Sequence, residues 1–360
     1  MNGIARTIWL LLTVLILPQS SVLARRQGLS VNVQASASNR PTAYKFDKIA
    51  DGVYYATASG SIAAGGNIVV IVNDTDVMLV DDGVTPAAAT ALLEDLKTLT
   101  DKPVRWVVNT HFHFDHTDGN SIFGPDVEII GHDYVRYAIL HNDVLHHEPF
   151  KTSVSDIPGR IDALRKQISS EKDSARRASL EQQIGVMEDE LEQIKAVKPT
   201  PPTMTYSSKL TMFRGDREIQ ILFLGKAHTQ GDSIVFLPKE KIVCTGDVIE
   251  ARPAYMGDGI FDQWIVTLDA LKSLDFDTAL PGHGDLFHGK ETITAYQSYL
   301  RDLLNQIAKL RDQGMTAEDA AKTVDLTSHA QYFPQIQGPG ADLRGVRRIY
   351  EWMDEQSKPK

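Results

Sequence analysis

Between Asn109 and Asn120 the chain reads NTHFHFDHTDGN, which gathers three histidines and two aspartates at one turn. His111, His113, Asp115 and His116 form the spacing His-x-His-x-Asp-His. In a short loop after a strand, alternate histidines turn two imidazoles toward one metal ion, and the Asp-His pair that follows turns toward a second. Neutral imidazoles suit zinc, whereas carboxylates lower the net charge and favour a harder ion. Four residues do not complete two metal sites. Three further candidates each stand at the C-terminal end of a strand-like run: His228 in GKAHTQGDS, Asp247 in CTGD and His283 in LPGHGD.

A lone histidine in such a loop is more often a surface or core residue than a ligand, so the weight lies in the company these residues keep. His132, His141, His146 and His147 have no such company and read as surface or pocket-wall residues, with the His146–His147 pair able to face a substrate. His288 has no evident partner. Cys244, inside a strand-like run three residues before Asp247, reads as a small buried hydrophobe. Asp81, in LVDDG, reads as a brace for the histidine loop. No Ser-His-Asp arrangement competes for the chemistry. The glycine-rich ASGSIAAGGN lacks the Lys-Ser/Thr of a phosphate-binding loop and reads as a flap near the metals.

Taken in order, these motifs resemble those of the metallo-β-lactamase superfamily, from about residue 45 to residue 326, and LVDDG is similar to that family's strand-end aspartate. The resemblance implies an α/β fold, a four-layer αββα sandwich. It implies that His111, His113 and His228 hold a first metal, that Asp115, His116 and His283 hold a second, and that Asp247 bridges them. Asp115 is also the candidate catalytic residue, orienting the nucleophile. Two ions about 3.5–4 Å apart share a water and lower its pKa toward neutrality. Two zinc ions are the expected cofactors, with iron or manganese as substitutes. True β-lactamases of this superfamily usually carry cysteine or serine at the position matched by Asp247, whereas thioesterases, lactonases and phosphodiesterases resembling it keep aspartate. The expected activity is therefore an exported dinuclear zinc hydrolase that uses a metal-bridging hydroxide on a small-molecule ester, lactone, thioester or amide, a β-lactam among them. Two other readings stay open: a one-iron enzyme of the persulfide dioxygenase type, with His111, His228 and Asp247 as ligands, or an inactive binding module on the same fold.

The elements that must position these residues follow from apolar periodicity. GVYYATAS, NIVVIV and DVMLVDDG read as strands with a turn at NDTD, TPAAATALLEDLKTLT as a helix opened by Pro86, and VRWVVNT as the buried strand that delivers the histidine loop. A second β-then-α half follows, with strands in EIQILFLG, DSIVFLPKEKIVCTGD and TALPGHGD and helices in FDQWIVTLDALKSL and KETITAYQSYLRDLLNQIAKLRDQG. Between the halves, residues 159–197 carry apolar positions spaced 4-3-4-3, a helical seam that reads as a hairpin inserted in the 45–326 domain and stopped by Pro199, Pro201 and Pro202. This insertion is a candidate lid or homo-oligomer contact. Residues 327–360 read as a helical tail.

The 360 residues are 42% hydrophobic and 23% charged, which allows one large core or two of medium size. A net charge of -10 without a basic stripe argues against a nucleic-acid partner. Residues 1–24 combine an arginine, an apolar run and Val22-Leu23-Ala24, the pattern of a secretory leader. The expected location is therefore secreted or periplasmic, with no stable membrane anchor after cleavage. Residues 25–44 read as a flexible segment, and the expected partner is a small-molecule substrate.

Overall fold

The structure, a computed structural model, describes residues 42–357, so the expected leader and the chain behind it up to residue 41 lie outside the described residues. Strands β3 (Ile68–Val72) and β4 (Val77–Val80) show why two sheets stack here. Both are apolar at every position, so neither of their faces is left to water. Because strand side chains alternate, Ile68 and Leu79 face one way and Ile71 and Met78 the other.

The first sheet runs β1 (Tyr44–Ala50), β2 (Val53–Ala58), β3, β4, β5 (Val104–Val108), β6 (Glu128–His132) and β7 (Met204–Tyr206) in spatial order. Its pairings are antiparallel as far as β4 and parallel beyond it. The second sheet contains β8 (Lys209–Arg214), β9 (Arg217–Leu222), β10 (Ile234–Leu237), β11 (Ile242–Gly246), β12 (Thr278–Pro281) and β13 (Phe287–His288), with β11 and β12 its parallel pair. Ile71, Met78 and Val108 meet Ile221, Val235 and Leu280 between the sheets. Outside the first sheet, α1 (Pro86–Leu96) lays Leu92 and Leu96 on Ile68 and Leu79. The second sheet is covered by α6 (Phe261–Ser273), α7 (Glu291–Asp312), α8 (Ala317–Thr323) and α9 (Leu343–Ser357), packed through Trp264, Tyr296, Ala320 and Ile349. The layers are helix, sheet, sheet, helix, as the resemblance implies.

Parallel pairing decides where the chemistry sits. Val80 pairs with Val108 and Gly246 with Pro281, so β4 and β5, and likewise β11 and β12, end side by side. The loops after these strands leave from one edge, the usual place for ligands in sheets with parallel strands.

The helical segment is a hairpin of α4 (Phe150–Ser170) and α5 (Ser174–Ile194), joined across by Arg165 and Glu188 at 2.8 Å. It begins at Phe150, earlier than the sequence pattern suggests. Pro158-Gly159 resembles a boundary, yet the helix runs through it because Phe150, Ile157 and Ile161 bury one continuous stripe on both sides of the proline. Gln182 donates to the Gly60 carbonyl at 3.1 Å, which ties α5 to the glycine-rich loop between β2 and β3. Among the described residues, no helix is long and apolar enough to cross a membrane.

Ile71 is fully buried between the sheets. Truncating it leaves a cavity, so Ile71→Ala should cost about 2–5 kcal/mol of stability. Urea denaturation should show this as a lower midpoint, with the metal content of the folded protein unchanged.

Candidate metal centre

The histidine loop is closed at its base before any ligand is placed. Asn109 and Asn120 exchange side-chain hydrogen bonds of 3.1 and 2.9 Å, and Asn120 also donates to the Thr200 carbonyl at 2.7 Å. The short helix α2 (Phe114–Thr117) then turns Asp115 and His116 inward. Below them, Asp81 leaves β4 with φ of 65°, a left-handed conformation that is unfavourable for a non-glycine residue and here aims the carboxylate into the loop. The Thr110 amide and hydroxyl donate to it at 2.7 and 2.9 Å, and His116 Nδ1 lies 2.8 Å away. Thr110 Oγ1 also lies 3.0 Å from His111 Nδ1, so one buried carboxylate orients two imidazoles.

All seven residues singled out in the sequence converge. His113 Nδ1 lies 3.0 Å from His111 Nε2 and 3.1 Å from His228 Nε2. His283 Nε2 lies 3.2 Å from His116 Nε2 and 3.0 Å from Asp115 Oδ2. Asp247 Oδ2 stands between these groups, 3.8 Å from His111 Nε2, 3.7 Å from His228 Nε2, and 3.5 Å from both His116 Nε2 and His283 Nε2. His111, His113 and His228 form one set able to hold an ion, and Asp115, His116 and His283 another.

The donor set fits a pair of cations. Ligand atoms on one tetrahedral zinc, with bonds of about 2.0–2.1 Å, are separated by about 3.4 Å, close to the spacing of these imidazole nitrogens. Asp247 Oδ1 is buried with no hydrogen-bond partner among the described residues, an arrangement that is costly for a carboxylate unless an ion engages it. The backbone leaves room as well. A Cβ on Gly282 would stand 2.2 Å from Asp247 Oδ1, and one on Gly66 would stand 2.7 Å from His116 Cε1.

Charge divides the cluster. Burial and the neighbouring histidines hold His111 well below the usual imidazole range, and burial with His113 takes His228 down to about 3. Both are therefore neutral, with lone pairs free. Burial also acts to lower His116 and His283, but there the carboxylates prevail: Asp247, Asp115 and Asp81 hold His116 well above its ordinary value, and Asp247 and Asp115 push His283 up to about 9. This half of the cluster is rich in negative charge and demands a positive one.

Several neighbours carry no signal in the sequence. Asp258 Oδ2 lies 3.0 Å from His113 Nε2 and fixes that ring from outside. Tyr55 donates its hydroxyl to the Pro281 carbonyl at 2.7 Å, and Asn67 donates to Tyr55 Oη at 2.6 Å and to the Gly284 carbonyl at 3.0 Å, so the first sheet clamps the loop that carries His283. Burial and Asp247 push the Glu250 carboxyl up to about 7, and Arg252 Nε donates to it at 2.5 Å. The remaining histidines stay out of the cluster. His132 stacks on Phe223 and accepts from the Tyr134 amide, His146 pairs with Asp143, and His288 contacts Thr278. His141 and His147 line a separate cleft of about 370 Å³ that reaches Asp258. Cys244 is buried between the sheets. The glycine-rich loop does border the cluster, its Gly66 amide donating to the Asp115 carbonyl at 3.3 Å.

Compared with known proteins, the chain matches the family model of the Metallo-beta-lactamase superfamily at residues 62–124 and 208–283, two segments that flank the helical hairpin. It is 22% identical over 297 residues to a linear primary-alkylsulfatase of Pseudomonas sp., covering 76% of this chain and 53% of that protein. It is 24% identical over 255 residues to the alpha subunit of a 2,4-dinitroanisole O-demethylase of Nocardioides sp., covering 69% and 58%. The chain thus spans little more than half the length of these curated relatives. Among solved structures, a metallo-beta-lactamase from Pontibacter korlensis gives a TM-score of 0.52 at 16% identity, covering 72% of this chain and 99% of that one. A double mutant of the sec-alkyl sulfatase PisA1 gives 0.58 at 15% identity, covering 88% and 52%. At such identities the likeness shows a shared fold.

Asp81→Asn keeps the size of the side chain but loses the charge beside His116 and half of its acceptor capacity. Supporting carboxylates of this kind are typically worth about 10–100-fold in metal affinity. Competition with a chelator should show a loss of that order, and unchanged retention would refute the bracing role.

Proposed function

We propose, from the premise that the chain belongs to the metallo-β-lactamase superfamily, that it is a dinuclear metal-dependent hydrolase of a small-molecule ester, lactone, thioester or amide. The observation that carries this reading is the position of Asp247 Oδ2, nearly equidistant from histidines of both sets. A carboxylate so placed would be within reach of ions held by either set. His111, His113 and His228 would hold the first and Asp115, His116 and His283 the second. When bound, a cation pair supplies Lewis acidity toward the scissile group and lowers the pKa of a water at pH 7.

The chain's own residues do the rest. Asp258 and Asp81 fix the rings of His113 and His116, so the ligand atoms need little reorganisation when ions bind. Burial acts to raise the Asp115 carboxyl, but the His116 and His283 imidazoles prevail and hold it below the usual range. It is therefore ionised at neutral pH. Its Oδ2 lies 3.0 Å from His283 Nε2, and the ionised carboxylate would orient the attacking water. Among the substrate classes we favour an ester, and first a sulfate ester of an aliphatic alcohol, because one curated relative and one solved neighbour are named as alkyl sulfatases. We take the leader-like residues 1–24 to direct export, on the strength of their apolar run and small-residue end.

Protein purified without added metal should contain about two zinc ions per chain. One iron per chain would favour the dioxygenase reading, and no stoichiometric metal the inert module. The zinc-loaded protein should release sulfate from hexyl sulfate or open one of a panel of carboxylic esters, lactones, thioesters and β-lactams. His113→Ala should abolish that turnover. Full turnover in this variant, with full metal content, would remove the assignment.

A further inference from the structure

A second cleft, of about 600 Å³, opens beside the centre and lies largely outside the segments matched by the family model. One wall is Arg252 to Met256, from the loop between β11 and α6. The opposite wall is Gln335 to Val346, the stretch that leads into α9, and its floor includes Leu303 of α7 and Leu326. Tyr255 belongs to both places. Its ring lies 5.6 Å from that of His113 and 6.2 Å from that of His228, so it separates the cleft from the metal ligands by one aromatic thickness.

Two guanidinium groups face the cleft, and they differ in commitment. Arg344 is engaged, donating to both carboxylate oxygens of Asp342 at 3.1 and 2.6 Å and lying 4.8 Å above the Tyr255 ring. Its role is to pin the C-terminal wall to Tyr255. Arg252 donates only through Nε, to the buried Glu250, and among the described residues no hydrogen bond engages its two Nη atoms. Glu250, 1% exposed, therefore fixes the orientation of Arg252 while the outer edge of its fork stays free. An arginine held from behind, with a free planar edge, is suited to a carboxylate, sulfate or sulfonate oxygen pair. The rest of the lining is mixed: Gln335, Gln337 and Asp342 are polar, and Ile336 is the half-buried apolar side chain among them, above the buried Met256, Leu303 and Leu326.

We propose that this cleft is the recognition site for an anionic small molecule with a short aliphatic portion, with Arg252 binding the charged group and Ile336 contacting the aliphatic portion. The proposal deepens the hydrolase reading and rests on it only for the claim that the bound molecule is a substrate. The anionic group sits on the Arg252 side of Tyr255, toward the centre. Arg252 is thus a specificity-determining residue, and the C-terminal segment supplies part of the selectivity.

The test uses hexanesulfonate, which offers a charged head and a six-carbon chain but no ester to cleave, titrated calorimetrically into the full-length metal-loaded protein. Saturable binding is expected, with hexanol at least tenfold weaker. Arg252→Gln should weaken sulfonate binding about 10–100-fold, the range of a hydrogen bond to a charged group. Arg252→Lys should recover part of the loss, and metal content should match the parent in both. Ile336→Asp should weaken hexanesulfonate as well while leaving the metal content intact. Equal binding by parent and Arg252→Gln, loss of metal in Arg252→Gln, or no binding by the parent would each overturn the proposal. A parent that binds hexanesulfonate yet hydrolyses nothing would overturn the hydrolase reading and leave the recognition site standing.

Discussion

The structure turns on one electrostatic demand, which is to keep an ionised carboxylate, Asp247, almost completely away from water among four imidazoles. Removing a charge from water costs several kcal/mol unless something opposite in sign compensates it. His111 and His228 cannot compensate, because burial and their histidine neighbours keep them neutral. Compensation must come from His116 and His283 as imidazolium ions or from cations that replace their protons. A cluster able to hold cations must keep its donors in place, and this makes the surrounding scaffold part of the chemistry.

The scaffold meets that demand by drawing on both sheets. The first sheet sends in the loop after β5 and braces it with Asp81 from the end of β4. The second delivers His228 after β9, Asp247 after β11 and His283 after β12. Tyr55 and Asn67 then cross from the first sheet to hold the His283 loop through backbone carbonyls, which are harder to displace than side chains. Any ion bound here joins the two sheets across their shared edge. Binding free energy then becomes folding free energy, since the unfolded chain holds no such constellation.

How much of this could be read from the chain alone depends on whether a residue announces itself locally. His111, His113, Asp115 and His116 do, by spacing, and His228, Asp247 and His283 do, by standing where strand-like runs end. The strands β3, β4 and β10 were legible because two-sided burial leaves uninterrupted apolar runs, and β11 through the apolar Ile242–Cys244 that opens it. Asp258, Tyr55, Asn67 and Arg252 were not. Each is a single polar residue in an unremarkable context, brought to the centre by tertiary packing that no local pattern encodes. The start of α4 was hidden for a related reason, since Pro158 suggests a boundary that only the buried stripe on both sides of it overrides.

The parts that hold the seven clustered residues and the parts that shape access to them come from different stretches of chain. The residues that form the two sets lie within the family-matched segments, together with their Asp81 brace. The walls around them do so only in part. The cleft beside Arg252 is closed by residues 335–346, and the one beside Asp258 by His141 to Glu148, both outside those segments. Asp258 itself has a foot in each part, for it touches His113 and lines the second cleft. Reaction class on such a scaffold is set by the centre, whereas choice of molecule is set by what the added segments place around it. The chemistry of the cleft walls therefore narrows the choice of substrate beyond what a shared centre implies.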